Sequence, residues 1–338
     1  MHYVVVAYLC LALLLYLVLG GADFGAGIIE LFTPHRHRRV ARQTMYQAIG
    51  PIWEANHMWL IIAVVILFVA FPRIYSVMSV SLHIPLVIML LGIIARGTAF
   101  VFRSYDAVKD NMQGVYSRIF TYSSFVTPLF LGIIAASVLS GTINLQATTF
   151  LDAYVFSWLH WFSVAVGFFT VALCGYLASV YLIGEATDEI NRQRYIAKTM
   201  RLNIIAVACG ALVFAAAHFQ GVPLLNWIFG NAVGVTAVVL ATLSLGLQWY
   251  LLLHGHDIIP RLLAGFQATM ILLAIGYKHF PDFIILRGGG TLSLFTQNAP
   301  KSTMHALGLA LLLGSVLILP ALGYLYYSFQ KKEEFAEH

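Results

Sequence analysis

The chain has 338 residues, of which 60% are hydrophobic and only 10% are charged. Soluble domains carry about 25% charged residues, so the composition excludes a soluble globular protein and predicts a polytopic membrane protein. The net charge of +5 does not indicate nucleic-acid binding, because the charged residues lie between apolar runs, where they set the topology.

Apolar windows of about 20 residues predict about nine membrane-spanning helices in an all-α, single integral membrane domain that covers residues 1–338. The first run is longer than a signal peptide and has no basic segment before it, so it is interpreted as a span. In chain order, the helices are expected at residues 3–29, 44–71, 75–102, 119–140, 152–183, 202–218, 227–253, 259–279 and 304–329.

The lysines and arginines predict the orientation of these helices. If the N-terminus lies outside and the C-terminus inside, the inner loops and the tail hold most of the 19 basic residues. The outer loops then hold Arg73, Lys278, Arg287 and Lys301. The longest outer loop contains Gly288-Gly289-Gly290, which predicts a flexible turn.

The first span ends in a glycine-rich segment that carries an acid. Gly21 and Gly25 form a small-xxx-small pair, which favours close approach of another helix. Asp23 is expected in the cytoplasmic half of the membrane, and Glu30 near the cytoplasmic surface. Two interpretations of Asp23 remain open: a step of a proton route, or a carboxylate paired with Arg96 or a loop arginine.

The second span contains a carboxylate, an amide and an imidazole. Glu54 follows Thr44 by ten residues, which places it about 15 Å into the membrane. His57 lies at i+3 from Glu54, so the two are expected to share a helix face. Trp53 precedes His57 by four residues. Charged groups inside membranes are rare and serve pairing or ion transfer, so Glu54 predicts either a proton carrier or a buried structural pair.

An arginine and a histidine inside apolar runs are further candidate site residues. Arg96 lies inside the third predicted span, where it either extends to the interface or neutralises Asp23 or Glu54; the small neighbour Gly97 favours pairing. His160 is the best single candidate for a haem ligand, but it has no evident partner histidine, which favours a hydrogen-bonded structural role.

Three motifs in the first third of the chain resemble subunit II of the cytochrome bd quinol oxidases. The first is Ala22-Asp23-Phe24-Gly25-Ala26-Gly27, which is similar to the family's Phe-Asp-x-Gly-x-Gly. The second is Pro51-x-Trp53-Glu54-Ala55-Asn56-x-x-Trp59-Leu60, which is similar to Pro-x-Trp-Asp-Gly-Asn-x-x-Trp-Leu. The third is Phe71-Pro72-x-x-Tyr75, followed by Arg96 and by Phe102-Arg103-Ser104.

The chain departs from the family pattern at three points. Glu54 stands where the family commonly has Asp, and Ala55 replaces Gly. The family's Asp-Gly-Phe-Asp reads Gly20-Gly21-Ala22-Asp23 here, so its first acid is missing. If that acid carries protons in the family, this chain uses Asp23, Glu30 or water instead.

The resemblance implies two four-helix bundles plus one peripheral helix in the bacterial inner (cytoplasmic) membrane. It implies a heterodimer with a haem-binding subunit I, which would hold haem b and haem d and reduce oxygen with quinol, while this chain holds no haem. Small single-span subunits, membrane lipids and a bound quinone are further partners under this hypothesis. The implied proton pathway comprises Glu54, Asp23, Glu30 and His57, and the supporting or oxygen-path residues are Trp53, Asn56, Trp59 and Arg96.

Two other functions compete with this one. A proton-coupled secondary transporter would use Glu54 and Arg96 in a substrate site, although the ionisable groups cluster in the first three spans rather than in both halves. A purely structural assembly subunit would differ from the oxidase subunit only in whether Glu54 titrates during turnover.

Overall fold

The computed structural model describes residues 1–34, 42, 45, 53–105, 112–186 and 189–334. Within this part of the chain, nine helices are long and apolar enough to cross a membrane, which confirms the predicted number of spans and the helical fold class. We number them spans 1 to 9 in chain order. They are His2–Leu31, Trp53–Ala70, His83–Arg103, Met112–Leu139, Trp161–Ile183, Glu189–Phe219, Ala232–Leu253, Ile258–His279 and Lys301–Leu325.

Span 1 is not a uniform helix. It consists of an α-helix at His2–Leu15, a π-helical segment at Tyr16–Gly20 and a second α-helix at Gly21–Leu31. The helices of spans 3 and 9 extend beyond the apolar segments, to Tyr105 and Glu334. Shorter helices occupy Pro72–Ser81, Phe150–Tyr154 and Leu224–Phe229, and strands β1 and β2 are Asp282–Ile285 and Thr291–Ser293.

Neighbouring spans pack mainly against their sequence neighbours and around spans 1 and 5. Span 1 contacts spans 2, 4 and 5, span 4 contacts spans 3 and 5, and span 5 also contacts spans 6 and 8. Span 9 packs on spans 1 and 2, and most of its side chains are exposed. Span 5 is the most enclosed helix, since apolar residues cover it on every side.

Two predicted spans are interrupted. The predicted helix 75–102 turns at Leu82, and the next helix has Pro85 in its first turn, where its missing N–H costs no hydrogen bond. The predicted helix 152–183 begins at Trp161, because His160 is extended and caps the helix. The predicted start of span 2 at Thr44 lies outside the described residues.

The loop between spans 8 and 9 contains structure that the all-helical prediction omitted. Strands β1 and β2 pair antiparallel, and Leu286 bridges to Ile143 in the loop after span 4. The predicted glycine turn joins the strands, and both Gly288 and Gly289 have positive φ, which glycine adopts at little cost. The hairpin therefore ties together the ends of spans 4 and 8.

Candidate functional site

The centre of the first half is a buried ion pair between spans 1 and 3. Arg96 Nη1 donates to Asp23 Oδ2 at 3.0 Å, and Nη2 lies 2.9 Å from Oδ1. Nη2 also donates to the Asp23 carbonyl oxygen at 2.9 Å, and Nε donates to Ser124 Oγ on span 4 at 3.1 Å. Both charged residues are 1% exposed. The structure thus brings together Asp23 and Arg96, as one of the two open interpretations held.

Aromatic rings flank the Arg96 guanidinium. Its central carbon lies 5.1 Å from the ring centres of both Phe24 and Phe120. Rings at this distance attract a cation through their quadrupoles, by about 2 kcal/mol or more when water is excluded. The arginine is therefore stabilised both by hydrogen bonds and by contacts with two aromatic rings.

A second ion-pair group lies further along spans 1 and 3. The carboxylate of Glu30 is buried and accepts from Arg103 Nη1 at 2.8 Å and from Arg42 Nε at 2.5 Å. Arg103 also lies 4.1 Å from the centre of the Phe120 ring. Glu30 is thus held by two cations, of which Arg42 is the more exposed.

The two groups form a ladder of ion pairs. Asp23 and Glu30 are seven residues apart, and so are Arg96 and Arg103, so each acid precedes its arginine by 73 residues. Seven residues are about two helical turns, or about 10 Å. Equal offsets occur only when both helices run in the same direction, which fits alternating spans 1 and 3.

Glycines allow the helices that carry this ladder to approach closely. A Cβ on Gly25 would lie 1.9 Å from the carbonyl oxygen of Cys174 on span 5, and one on Gly27 would lie 2.2 Å from Ser124 Oγ. Gly21 also faces Cys174. The predicted small-residue interface is confirmed, and its partner is span 5.

The imidazole of His57 on span 2 lies beside the ion-pair ladder. His57 Nε2 lies 3.8 Å from Asp23 Oδ2, beyond hydrogen-bond distance, and the His57 ring contacts the ring of Phe24 at 5.7 Å between centres. Trp53 meets His57 edge to face at 6.2 Å and packs on Phe100 of span 3. Asn56 and Trp59 are buried in the same helix.

Glu54 is exposed, on the side of span 2 that faces away from the buried Asn56 and Trp59. It makes no ion pair with any residue in the described part of the chain. His57, three residues on and about 60° around the helix, is only partly buried, so the edge of the packed surface falls near these two residues. Asp23, His57 and Arg96 therefore lie close together. Glu30 belongs to the second ion-pair group, and Glu54 belongs to neither group.

Several members of this cluster were missed from the sequence. Ser124 and Phe120 come from span 4, whose contact with spans 1 and 3 no local pattern reveals. Arg103 and Arg42 were assigned to inner loops, although the repeat of seven residues that links Asp23 to Glu30 and Arg96 to Arg103 was a usable signal. Tyr16 was also missed, and it precedes Asp23 by the same interval.

A second polar cluster lies within the other half and carries no charge. The Tyr176 hydroxyl of span 5 donates to Gln267 Oε1 of span 8 at 2.7 Å and contacts Gln248 of span 7. Gln248 Nε2 donates to the Pro260 carbonyl at 3.0 Å, and Asn203 of span 6 also bonds Tyr176. Because the network is buried and its members bond one another, it fixes the mutual packing of four spans.

His160, the single candidate haem ligand, has another role. Its Nδ1 accepts the Ser163 N–H at 3.2 Å at the start of span 5, and its Nε2 lies 3.3 Å from the hydroxyls of Ser140 and Thr142. Both ring nitrogens are therefore engaged, and the structural interpretation is correct. Across the described ranges, histidine, cysteine and acidic residues form no group of three or more that would hold a metal ion.

The sequence and fold were compared with known proteins. The family model described as Cytochrome bd terminal oxidase subunit II matches residues 1–329. This chain belongs to that family. Its cytochrome bd ubiquinol oxidase subunit 2 relative from Bacillus subtilis (strain 168) is 30% identical over 203 residues, which are 60% of this chain and 58% of that protein.

Other comparisons agree with this assignment. The cytochrome bd-I ubiquinol oxidase subunit 2 of Escherichia coli (strain K12) is 25% identical over 58% of this chain and 52% of that protein. The matched region thus spans somewhat more than half the length of these curated relatives. A chain of the bd oxidase from Geobacillus thermodenitrificans superposes with a TM-score of 0.73 at 20% identity, over 97% of this chain and 98% of that one, which shows a common fold.

Proposed function

We propose that this chain is the non-haem subunit of a bd-type terminal quinol oxidase in the bacterial inner membrane, where it supports oxygen reduction with protons drawn from the cytoplasm. Membership of the family supports this proposal over a transporter. The haem chemistry would belong to the larger subunit I, which would hold haem b and haem d and pair with this chain as a heterodimer. Small single-span subunits, lipids and a bound quinone would complete the assembly.

The exposed carboxylate of Glu54 carries the proposal. It lies in the first turn of a helix whose other exposed side chains include Ile61, Val64 and Phe68. A charge that faces lipid is costly, by up to about 2.5–3.5 kcal/mol at the centre of a span on insertion scales. Contact with subunit I would remove this cost, and it would place a titratable group of this chain next to the haem-bearing subunit.

The buried acids Asp23 and Glu30 would have a different role in the proton route from that of Glu54. Asp23 and Glu30 are each paired with arginine, so we assign them the role of fixed partners of the route rather than of mobile proton carriers. His57 stands beside Asp23 without being bonded to it, and it can exchange a proton at either ring nitrogen. The proposed pathway therefore uses Glu54 and His57 as carriers, with Asp23 and Glu30 as the charges that orient them.

The remaining site residues would support this arrangement. Trp53 positions His57 through its ring contact, and Asn56 and Trp59 occupy the buried side of the same helix. Arg96 donates to the Asp23 carboxylate in the apolar interior and fixes its position. A role for Trp59 in oxygen access is proposed on the family resemblance.

Substitution of Glu54 in the assembled oxidase tests the proposal. Glu54→Gln removes the exchangeable proton with little change of shape, and oxygen consumption should fall by about 10²-fold, the lower end of the range for a positioned proton-transfer group. Glu54→Asp should lose much less activity. Both variants are purified with subunit I, and the haem spectrum confirms that each complex is intact.

A matched control is Glu189→Gln, since Glu189 is also exposed but begins span 6. It should leave oxygen consumption unchanged. If Glu54→Gln turns over normally in an intact complex, the chain is instead a structural assembly subunit. The arginine-bound state of Asp23 and Glu30 is the specific observation that favours this second candidate.

A further inference from the structure

The ladder between spans 1 and 3 has a third position without a cation. Tyr16 precedes Asp23 by seven residues, as Asp23 precedes Glu30. The residue seven before Arg96 is Met89, and both Tyr16 and Met89 belong to the same buried apolar cluster. At this level, span 3 offers an uncharged thioether in place of an arginine donor.

Buried polar atoms without partners collect at this position. In the described part of the chain, Tyr16 Oη and His57 Nδ1 are both buried and have no hydrogen-bond partner. The two rings lie 6.1 Å apart between centres, and His57 is 3.8 Å from Asp23 Oδ2. Leaving such a group unsatisfied costs about 1–3 kcal/mol, so two of them on adjacent rings require an explanation.

Subunit contacts do not supply the missing partners. Tyr16 is 3% exposed and Asp23 1% exposed, so both are enclosed by helices of this chain. Another polypeptide cannot reach the Tyr16 hydroxyl without displacing span 1. The partner must be small enough to lie between spans 1 and 2, and it must both donate and accept hydrogen bonds.

The backbone of span 1 changes at the same point. Tyr16–Gly20 is a π-helical segment, a local widening that is frequent at functional sites. A Cβ on Gly20 would lie 3.0 Å from the Tyr16 ring, so glycine leaves room for the ring at this position. The π-helical segment therefore begins at the residue whose ring lies beside His57.

We propose that Tyr16 Oη, His57 Nδ1 and the Asp23 carboxylate form a binding site for internal water, which extends the proton route one step beyond the ion-pair ladder. Buried waters typically make about three hydrogen bonds to otherwise unsatisfied polar groups, and this site offers such groups. The inference rests on the proposed function, because a water at this position takes part in proton transfer only if the subunit carries protons.

Tyr16 is a positioning residue in this site, since its hydroxyl holds the water against His57. A proton that reaches His57 at Nε2, on the Asp23 side, leaves from Nδ1 to the bound water, and the imidazole is neutral again. The water then holds that proton as hydronium, whose positive charge the Asp23 carboxylate of the same site offsets. Asp23 keeps its ion pair with Arg96 throughout, and its carboxylate lies 3.8 Å from the His57 Nε2 that takes up the proton.

A structure of the assembled oxidase at a resolution that shows ordered water gives the first test. Density for water is expected within about 2.7–3.2 Å of both Tyr16 Oη and His57 Nδ1. A Tyr16 hydroxyl bonded to a protein atom, with no water at His57, would overturn the proposal. This measurement needs no variant and therefore does not depend on how a substitution folds.

The second test removes only the hydroxyl. Tyr16→Phe should slow oxygen consumption by about tenfold, less than loss of a direct proton carrier, because water can still reach His57. The solvent deuterium isotope effect on turnover should rise, whereas the quinol KM and the haem content should not change. The matched control is Tyr8→Phe, because the hydroxyl of Tyr8 on the same span bonds Ser315 at 2.7 Å.

The outcomes separate this inference from the proposed function. Slow turnover in Glu54→Gln with normal turnover and isotope effect in Tyr16→Phe would leave the proton-carrying role intact and refute the water site. Normal turnover in both would refute both. Equal slowing of Tyr16→Phe and Tyr8→Phe would show a general effect on span 1 and would also refute the water site.

Discussion

Arg96 shows how an apolar bundle tolerates a full charge. Its three nitrogens donate to the Asp23 carboxylate, the Asp23 carbonyl and Ser124, and the rings of Phe24 and Phe120 lie 5.1 Å from its central carbon. Removing one partner of a buried pair typically costs about 3–5 kcal/mol, because the other charge is left without compensation. The pair therefore fixes the relative positions of spans 1, 3 and 4, whatever its part in proton transfer.

At the residue scale, His160 predicts a pH-dependent stability. Burial lowers the pKa of His160 below its ordinary value of 6.5, and the hydrogen bond with Gln220 opposes this only in part. The neutral ring accepts the Ser163 N–H, which an imidazolium cannot do. The cap should therefore contribute its full stability above pH 6.5 and lose it as the pH falls through the lowered pKa, because the unfolded chain then binds more protons.

His160→Asn provides the matched comparison, because asparagine caps helices without titrating. The thermal unfolding midpoint of the purified complex is measured between pH 5 and pH 8. Wild type should lose about 1 kcal/mol relative to the Asn variant on acidification, the typical value of an N-cap. Parallel pH profiles for the two proteins would show that the cap does not titrate in this range.

Much of the charged site could be predicted from the sequence, but its geometry could not. Asp23, Glu30, Arg96 and His57 were identified because charges in apolar runs are costly and therefore informative. The exposure of Glu54 depends on which side of span 2 packs, and the apolar residues of span 2 are spread around the whole helix. The water site at Tyr16 needed coordinates, because an aromatic residue in a membrane helix is usually part of the packing.

At the element scale, the contact of span 1 with span 5 depends on glycine. Gly25→Ala would place a methyl group 1.9 Å from the Cys174 carbonyl oxygen, so the helices must separate. Overpacking of this kind costs about 1–3 kcal/mol. The variant should unfold at lower temperature, and the haem content of the complex should fall, since the same helix carries Asp23.

The control for this substitution is Gly246→Ala in span 7. No atom lies within 4 Å of the added Cβ at Gly246. Alanine in a helix interior is favoured over glycine by about 1 kcal/mol, so this variant should be as stable as wild type or more so. Equal destabilisation by the two substitutions would mean that the Gly25 contact is not what holds spans 1 and 5 together.

Helix ends were harder to predict than helices. Hydropathy predicted the spans but not the helix breaks at Leu82 and His160, because the apolar runs continue through both residues. The capping residue of span 5 is a histidine, which is not among the preferred N-caps. The hairpin after span 8 was read only as a turn, because its strands are four and three residues long.

At the scale of the whole molecule, the two halves differ in chemistry. Spans 1 to 4 enclose the charged ladder, whereas spans 5 to 8 enclose the neutral network of Tyr176 and its amides. The neutral network has its polar atoms bonded internally and specifies packing. The charged half has unbonded polar atoms and an exposed acid, so it is the half in which proton transfer and the subunit I contact are proposed.

The orientation of the whole chain is the remaining prediction, and single cysteines test it. The native cysteines Cys10, Cys174 and Cys209 are free and are first replaced. In that background, Thr296→Cys lies on the exposed loop before span 9, and Gln193→Cys lies near the exposed start of span 6. The bias of basic residues predicts the first outside and the second inside. A membrane-impermeant maleimide should therefore label Thr296→Cys in intact spheroplasts and Gln193→Cys only after permeabilisation.

The reverse pattern would place the Glu30 end of the ladder outside, where it could not receive cytoplasmic protons, and would contradict the proposed route.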